Sequence, residues 1–596
     1  MPHDEKPGPD DWRLGIDPAD RAHPALAPAP VVDAPRADER SARRLERPLF
    51  VVTTEHLGWL LVAAYTIVTR FAALGARPMF PGEAARALGE YALASGGPYP
   101  PPAAFGLGWI GLAQIGIFHA IGVSEFSARI VAALGALLLV GAAFALRAAL
   151  GRAGALGLAA LCAISPSLMY FSRSGTTASA AIAFVMVAVA LAMALARRPT
   201  ASRAAGLAIA LALAIGAGPV GAIDALTGAV ALAIIGVINA IAGGNTVLRI
   251  RVWWTRRGWL LVVGVIAFVA VWIFLAEILS AAPLRVPLAA SLAPIFNAAA
   301  RPVLSPPRFY LAIIGFYEFA ILLAALAGAA AILAWRVRSY FARWSLVWMI
   351  VSLAGWTIAR PYRPEFALGF VVPMALVGAW GLEWLHQFEA WEIIRYPAAA
   401  LALVTIYVMV LTNVIVAAPN ASEAAWERRA SLLWSEPATT IQTPAECARA
   451  IKMAGRGATA ALPDDAPAVA WYLRALIAAA DPASAVVTVT RAASEPQPDT
   501  QTGHQFGFEE RWKPDFSKLS AAAAARFFLT GHAWSEVEID DLAIEVRAPA
   551  PAAVSSPTAS VTPTPAATAS ATPSPSSTPT ASPTASSRAT PTPSSV

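Results

Sequence analysis

Four charged side chains in the first third of the chain have the chemistry of a phosphate-binding site. Glu83 and Glu90 are seven residues apart, a spacing that places both carboxylates on one face of a helix. Arg70 and Arg173 each lie near the end of an apolar segment, and Arg363 lies between two later ones. Guanidinium groups bind phosphate oxygens in a bidentate manner, whereas a carboxylate acts as a base or holds a divalent cation. Singly, each arginine could instead anchor to lipid headgroups, and each acid could simply be solvated.

A further acid lies inside an apolar segment. Glu318 follows Tyr317 about ten residues into this segment, or about 15 Å at 1.5 Å per residue. A carboxylate at the bilayer centre costs roughly 2.5–3.5 kcal/mol on insertion scales. Glu318 must therefore face a cavity, accept a hydrogen bond from a neighbouring helix, or be protonated. Asp224 and Glu277 lie near the ends of other apolar segments, where snorkelling or helix capping is the simpler expectation.

Composition identifies the class of protein that positions these groups. The chain has 596 residues, of which 57% are hydrophobic and 14% are charged. Because soluble domains carry about 25% charged residues, a large soluble enzyme is excluded and a membrane protein is indicated. A net charge of +6 is too small to indicate nucleic acid. The two cysteines lie in dissimilar segments and the seven histidines are scattered, so no disulfide framework or zinc helix is indicated.

Apolar segments of about 20 residues predict a mainly α polytopic bundle with about eleven transmembrane spans. Arginine clusters lie before the first span and in every second connection, which places the N-terminus in the cytoplasm and the C-terminus outside. The segment 103–121 is also apolar, but a crossing there would place all later arginine clusters outside. The predicted spans are 58–75, 127–148, 154–171, 179–196, 203–219, 222–242, 258–279, 309–334, 342–358, 365–384 and 397–418.

The regions outside the spans differ in character. Residues 1–54 and 548–596 have the composition of disordered tails, the second rich in Pro, Ser, Thr and Ala. The membrane body, 55–420, contains a first external loop, 76–126, with a surface helix at 82–95 and an interfacial helix at 103–121. Residues 421–547 predict a small external α/β domain. Its expected elements are a helix from a capping box at Thr443–Glu446 to Gly455, a helix at 466–480, and strands at 485–490 and 536–547.

An ordered series of motifs resembles the glycosyltransferase C superfamily of membrane proteins, which includes protein mannosyltransferases, oligosaccharyltransferases and lipid A aminoarabinose transferases. Among these, the chain looks most like the prokaryotic flippase-associated group of archaeal-type glycosylation. The N-terminal motifs are Pro81-Gly-Glu-Ala84, Tyr99-Pro-Pro-Pro102, Gly122-Val-Ser-Glu-Phe-Ser-Ala-Arg129 and Ser165-Pro-Ser-Leu-Met-Tyr-Phe-Ser-Arg173. The later ones are Arg308-Phe-Tyr, Phe316-Tyr-Glu318, Pro361-Tyr-Arg-Pro364 and Trp471-Tyr-Leu-Arg474.

The resemblance implies a transferase that takes a sugar from a polyprenyl-phosphate-linked donor at the external membrane face and gives it to a cell-envelope acceptor. Glu83 would be the base or a ligand of a divalent metal ion, and Glu318 an acid in the cavity. Arg70 and Arg173 would contact the phosphate. The other substrate-binding residues would be Tyr317, Glu90 and Arg363.

The chain departs from the superfamily pattern at two positions. The acid pair in the first loop is usually Asp-Glu, but Gly82 precedes Glu83 here. Relatives also usually carry an acid shortly after the position of Arg173, and residues 174–179 contain none. A non-catalytic membrane component of glycan assembly or flipping is therefore an alternative. A secondary transporter is a third, although paired repeats with broken helices are not evident.

Overall fold

The protein is described from a computed structural model. It covers residues 53–95, 108–241, 246–280, 306–334, 337, 339–359, 363–387, 430–433, 438–463, 465–479, 484–491 and 500–547, with isolated positions between 396 and 407. Both predicted tails, the predicted span 397–418 and the Pro98–Pro102 motif lie outside or almost outside these ranges.

The first half of the chain is helical. Its elements are α1 (Thr54–Phe71), α2 (Pro81–Ser95), α3 (Trp109–Ile121), α4 (Glu125–Ala145), α5 (Arg147–Leu150), α6 (Arg152–Ile164), α7 (Pro166–Ser172), α8 (Ala178–Arg197), α9 (Ala201–Ala217), α10 (Pro219–Ile241), α11 (Thr246–Arg257) and α12 (Trp259–Ser280). Helices α13 (Pro306–Tyr317), α14 (Phe319–Leu333) and α15 (Tyr340–Ala359) follow. A short 3-10 turn at Pro364–Ala367 then leads into α16 (Leu368–His386).

Helices occur at ten of the eleven predicted span positions. Within the described ranges, four helical stretches are long and apolar enough to cross a membrane, and six if each of two bent helix pairs counts as one span. The four are Glu125–Ala145, Ala178–Arg197, Pro219–Ile241 and Pro364–His386. The protein is thus a mainly helical membrane protein, whereas the count of eleven and the orientation stay predictions. The expected surface helix and interfacial helix correspond to α2 and α3.

At two of the predicted span positions the chain forms a bent pair of helices rather than one continuous helix. Helices α6 and α7 meet at Ser165 at an angle of 63°, and α13 and α14 meet at Glu318 at 96°. Pro166 at the first position of α7 cannot donate a backbone hydrogen bond, which permits the first break. The second break contains neither glycine nor proline, so contacts from other parts of the chain must hold it.

Helix packing in the membrane body depends on small residues and indole groups. Gly328 of α14 lies so close to α16 that an added Cβ would meet the Val377 carbonyl at 2.0 Å. Between α10 and α15, the Trp348 indole donates to Thr227 Oγ1 at 3.2 Å. Likewise, Trp356 donates to Asp224 Oδ1 at 3.4 Å, and Asp224 is fully buried. The expected snorkelling or capping role of Asp224 is therefore wrong; the side chain of Glu277 is outside the described set.

The C-terminal region is an α/β domain around a six-stranded sheet. The strands are β1 (Ala438–Thr439), β2 (Thr459–Ala461), β3 (Ile477–Ala478), β4 (Val487–Arg491), β5 (Thr500–Trp512) and β6 (Val537–Arg547), in the spatial order β1-β5-β6-β4-β2-β3. The short strands β3 and β4 pair in parallel with β2, and the remaining pairs are antiparallel. Helices α17 (Gln442–Ala454), α18 (Pro467–Tyr472) and α19 (Ala521–Thr530) complete it.

The sequence predicted this domain only in part. The strands at 485–490 and 536–547 are confirmed as β4 and β6, and the first helix ends before Gly455 as expected. The capping box at Thr443 is wrong, because α17 begins one residue earlier and the Thr443 hydroxyl donates to the Phe508 carbonyl instead. The helix expected over 466–480 ends at Tyr472, because Ile477 and Ala478 pair with β2 as a strand.

The C-terminal domain and the first loop share one apolar core. Met79, Leu88 and Phe118 from the loop and its helices pack in one cluster with Trp471 and Leu473 of the domain. Since buried apolar contacts of this kind form only between neighbouring segments, α2, α3 and the domain lie on the same side of the membrane body. The predicted site residues Glu83 and Glu90 lie on α2, directly at this junction.

Candidate active site in the first loop

Two arginines bind the backbone that connects α1 to α2. Arg129 donates to the carbonyls of Leu74, Arg77 and Pro78 at 2.8–3.0 Å. Arg173 donates to the carbonyls of Thr69, Ala72 and Ala73 at 2.7–3.0 Å. The connection has no regular structure, so its carbonyl groups need partners that a helix or a sheet would otherwise supply. The two guanidinium groups provide them and thereby fix the path of the loop.

Glu83 is the centre of this arrangement and is almost completely buried. Its Oε2 accepts hydrogen bonds from Arg129 Nη2 at 2.7 Å and from the Phe80 N–H at 3.2 Å. Its Oε1 accepts from Arg77 Nη2 at 3.1 Å and from the Gly175 N–H at 2.7 Å. One carboxylate thus joins the loop, α4 and the segment after Arg173. We call Glu83, Arg77, Arg129 and Arg173 the loop cluster.

Arg77 is the more exposed of the two arginines that bind Glu83. Its side chain is 15% exposed, whereas that of Arg129 is 0% exposed. The guanidinium carbon lies 4.6 Å from the ring centroid of Phe80 and 4.9 Å from that of Tyr170. Stacking on two rings restricts the orientation of the guanidinium plane. Arg77 is therefore a preoriented cation at the surface of an otherwise buried network.

The loop cluster carries more positive than negative charge. Arg77, Arg129 and Arg173 interact with one another, and Glu83 is the one carboxylate bonded to any of them among the described residues. Burial by itself would raise the pKa of Glu83, but Arg129, Arg77 and the hydrogen bonds from Arg129 and Gly175 bring its pKa below the ordinary value. Glu83 is thus ionised at neutral pH, and the net positive cluster is chemically suited to an anion.

Glu90 lies on the same helix but in a different environment. It is buried, and burial, opposed only in part by Arg86, raises its pKa to about 8. At neutral pH Glu90 is therefore mostly protonated, unlike Glu83. The seven-residue spacing places both acids on the protein-facing side of α2, but it does not give them the same chemistry.

Replacement of Glu90 by glutamine is expected to flatten the pH dependence of stability. An unfolded chain releases the Glu90 proton near pH 4.5, whereas the folded protein keeps it to about pH 8, so wild-type stability falls as pH rises between these values. Glutamine has no proton to release, so the variant should melt higher than wild type at pH 8. Thermal melts from pH 5 to pH 9 would test this. Equal pH dependence in both proteins would contradict the assigned environment.

The Trp471–Arg474 motif attaches the C-terminal domain to the first loop. Tyr472 Oη accepts from the Met79 N–H at 3.0 Å, and Trp471 donates its indole N–H to Glu125 Oε1 at 3.1 Å. The Arg474 guanidinium stacks on Trp471 at 4.1 Å and donates to the Val123 carbonyl at 3.4 Å. The motif therefore holds both ends of the first loop, next to Glu83 and at the start of α4.

The other predicted site residues make no hydrogen bond to the loop cluster among the described residues, but Arg70 lies close enough to Arg173 for their charges to interact. Arg70 is buried in α1, where it donates to Thr69 Oγ1 at 2.7 Å and to the Cys162 carbonyl at 3.3 Å. Tyr317 and Glu318 lie at the break between α13 and α14 and bind segments other than the loop. Arg363 is exposed and pairs with Glu365 at 3.5 Å. Of the predicted set, Glu83 and Arg173 are joined most directly, through the Gly175 N–H.

Two residues of the loop cluster were not among the predicted site residues. Arg129 closes the motif Gly122–Arg129, which is a signal in the sequence, but its partner Glu83 is 46 residues away. Arg77 precedes Glu83 by six residues and carries no motif. Its only signal is an arginine in an apolar loop near an acid, too common a pattern to single it out.

The loop cluster does not fit the divalent metal ion that the resemblance implied. Both oxygens of Glu83 already accept hydrogen bonds, and two of the four donors are guanidinium groups that would repel a cation. In the described part of the chain no group of three His, Cys, Asp or Glu side chains is close enough to hold a metal. We therefore derive no catalytic step through a metal.

Comparison with known proteins gave matches among solved structures only; no family model and no curated protein matches the chain. The chain is similar to ArnT from Cupriavidus metallidurans bound to undecaprenyl phosphate, with 14% identity over 81% of this chain and 97% of that one and a TM-score of 0.49. It is also similar to ArnT from Cupriavidus metallidurans in the apo state, with 15% identity over 82% of this chain and 98% of that one and a TM-score of 0.49.

A second similar protein is the Archaeoglobus fulgidus oligosaccharyltransferase in complex with zinc and sulfate. Its identity is 14%, over 70% of this chain and 62% of that one, with a TM-score of 0.44. Likenesses this remote carry no functional conclusion, which must come from the residues of the chain itself.

Proposed function

We propose that the protein is a membrane glycosyltransferase that binds a polyprenyl-phosphate-linked sugar at the external face and moves the sugar to a cell-envelope acceptor. The observation that carries the proposal is the loop cluster. Two guanidinium groups, those of Arg77 and Arg129, bind the Glu83 carboxylate at the base of the first loop, and Arg77 is partly exposed. The Arg173 guanidinium lies close enough to both for their charges to interact. An anionic headgroup would compensate this excess of positive charge.

The cluster suggests a division of roles within the site. Arg77 is the group that would contact the phosphate, because it is oriented by two rings and is partly exposed. Arg129 and Arg173 fix the loop and add positive potential. Glu83 holds both Arg77 and Arg129, so its first role is to position them. If it also acts as the base, it must first release one of these hydrogen bonds, and its lowered pKa makes it a weak base.

The shared core of the loop and the C-terminal domain supports an external location for both. The Arg-rich connections indicate that the N-terminus is cytoplasmic, which places the loop after the first span outside. Because α2 packs against Trp471 and Leu473, the C-terminal domain lies on that same side. We propose that the headgroup is bound between the membrane surface and this domain.

A sugar-transfer assay with purified protein in proteoliposomes would test the proposal. Radiolabelled polyprenyl-phosphate hexoses and pentoses are supplied as donors with a cell-envelope extract as acceptor, and label that leaves the lipid phase is counted. We expect label to move from the donor lipid to the acceptor fraction with wild-type protein. Absence of label transfer from every donor tested would contradict the proposal.

A non-catalytic donor-binding component is the second candidate. The two carboxylate oxygens of Glu83 already accept four hydrogen bonds, which favours this candidate. The presence of Gly82 in place of the usual aspartate favours it too. Binding of polyprenyl phosphate without transfer to any acceptor would support this candidate over the enzyme.

A further inference from the structure

The two bent helix pairs are joined at their breaks by one side chain. Glu318 lies between α13 and α14, and its Oε1 accepts from Ser165 Oγ at 2.7 Å and from the Ser167 N–H at 2.9 Å. Ser165 lies between α6 and α7, where its Oγ also accepts from the Leu168 N–H at 3.2 Å as the N-cap of α7. A single carboxyl oxygen therefore links the 96° break to the 63° break.

The short helix α7 connects this junction to the loop cluster. Its residue Tyr170 lies beneath the guanidinium of Arg77, 4.9 Å from the guanidinium carbon. Arg173, directly after α7, binds the loop carbonyls, and the Gly175 N–H binds Glu83. The direction in which α7 leaves the Ser165 break therefore determines where these groups lie relative to Arg77.

The α13–α14 break is held by residues 431 and 432, which precede the C-terminal domain, and by the domain itself. Tyr317, directly before Glu318, places its Oη 3.1 Å from Ser431 Oγ and accepts from the Leu432 N–H at 3.0 Å. Phe316 stacks on Trp534 of the domain with ring centroids 5.7 Å apart. The α13–α14 break is thus held in place before Glu318 reaches across to α7.

We infer that Glu318 is a positioning residue, which locks the two helix breaks together and so sets the direction of α7, and that it does not contact substrate. Glu318 is fully buried, and its Oε1 is used by Ser165 and Ser167. The link from α7 to donor binding rests on the proposed function, whereas the lock between the breaks does not.

The two oxygens of Glu318 predict different behaviour of two substitutions. The bonds to Ser165 and Ser167 need only one uncharged acceptor oxygen, which glutamine retains and alanine lacks. Glu318 Oε2 accepts no hydrogen bond from any described residue, so the amide nitrogen of glutamine displaces no donor there. Glu318→Gln should therefore keep the hydrogen bonds that link the two helix breaks, and Glu318→Ala should remove them.

The two native cysteines provide the readout. Cys162 is buried in α6, one turn before Ser165, and Cys447 is buried in α17 of the C-terminal domain. The full-length protein is treated with a membrane-permeant maleimide, and peptide mapping reads the two sites separately. Labelling of Cys162 without Cys447 reports local opening at the break, whereas labelling of both reports global unfolding.

Wild type and Glu318→Gln should show equally slow labelling of Cys162. Glu318→Ala should increase its rate by about tenfold or more without an effect on Cys447, the scale expected when buried hydrogen bonds are lost. Ser165→Ala should give a smaller increase. The matched control is Ser345→Ala. Among the described residues the buried Ser345 Oγ donates only to the Ala342 carbonyl of its own helix, so this variant should change nothing. Slow Cys162 labelling in Glu318→Ala would overturn the inference.

Sugar transfer by the same variants separates positioning from catalysis. Glu318→Gln should keep the wild-type rate and pH profile, and Glu318→Ala should lose donor affinity as the loop cluster shifts. Loss of transfer in Glu318→Gln while Cys162 stays protected would mean that the carboxyl group acts on substrate, and would overturn the inference. If wild type transfers no sugar, the proposed function fails, and the labelling experiment still decides whether Glu318 is the lock.

Discussion

Replacement of Glu83 by glutamine is expected to lower the free energy of unfolding by about 3–5 kcal/mol, the cost of leaving a buried charge without its partner. Arg129 is completely buried and pairs with Glu83 at 2.7 Å. All four groups that bond to Glu83 are donors, so the amide nitrogen of glutamine would face Arg77 or the Gly175 N–H without an acceptor. Thermal and denaturant melts of the detergent-solubilised protein would measure this loss.

The loss should depend on pH in a definite direction. The pKa of Glu83 in the folded protein lies below its value in the unfolded chain. Its ion pairs therefore contribute fully above about pH 4.5, and the contribution disappears as the pH falls through the folded-state pKa. Wild type and Glu83→Gln should differ most at neutral pH and converge in acid.

An exposed ion pair provides the matched control. Glu538 pairs with Lys513 at 2.8 Å on the surface of the C-terminal domain, and both side chains are more than half exposed. Glu538→Gln should leave the melting temperature almost unchanged, because solvent screens such pairs. If Glu83→Gln melts like Glu538→Gln, the buried network does not stabilise the loop and the structural role assigned to Glu83 is wrong.

Replacement of Arg77 by glutamine is expected to weaken the binding of polyprenyl phosphate by about 10–100-fold, which corresponds to one hydrogen-bonded charge. Arg77 is the outward-facing cation of the loop cluster, oriented by Phe80 and Tyr170. Arg77→Lys should restore part of the affinity, because an ammonium group keeps the charge but lacks the planar fork. Titration of polyprenyl phosphate into protein in nanodiscs of neutral lipid would measure the affinity.

Two controls keep the Arg77 experiment specific. Arg449→Gln removes a half-exposed arginine of α17 that pairs only weakly with Glu446 at 3.7 Å, and its affinity should equal that of wild type. Melting temperatures of all variants separate a loss of binding from a loss of folding. Unchanged affinity in a folded Arg77→Gln protein would remove Arg77 from the site.

The sequence predicted the helical segments better than their breaks. Hydrophobicity and length place helices at ten of the predicted positions, because both properties are local. The break at Ser165 has a local signal in Pro166. The break at Glu318 has none, because Ser165, Ser167 and Ser431, all more than 100 residues away, hold it through Glu318 and Tyr317.

The same holds for the site: residue types are visible in the local sequence, whereas contacts between distant residues are not. Residue type and position in the sequence singled out Glu83 and Arg173, at the ends of apolar segments or in the first loop. Their connections were not predictable, because the partner of Glu83 is on α4 and those of Arg173 are backbone carbonyls. Every residue has a backbone carbonyl group, so the sequence does not show whether an arginine binds the backbone or a ligand. Only the tertiary structure shows that Arg129 binds backbone carbonyls whereas Arg77 is partly exposed.

The attachment of Tyr472 to Met79 has a consequence for biogenesis. The two residues are 393 positions apart, so the ribosome completes most of the chain before this contact can form. Membrane helices insert as they emerge, but the loop must wait for the C-terminal domain to fold and dock. Contacts of such high sequence separation are slow to form. The contact between the loop and the C-terminal domain can therefore form only after residue 472 has been synthesised, so a nascent chain that has already inserted its first helices still lacks this contact.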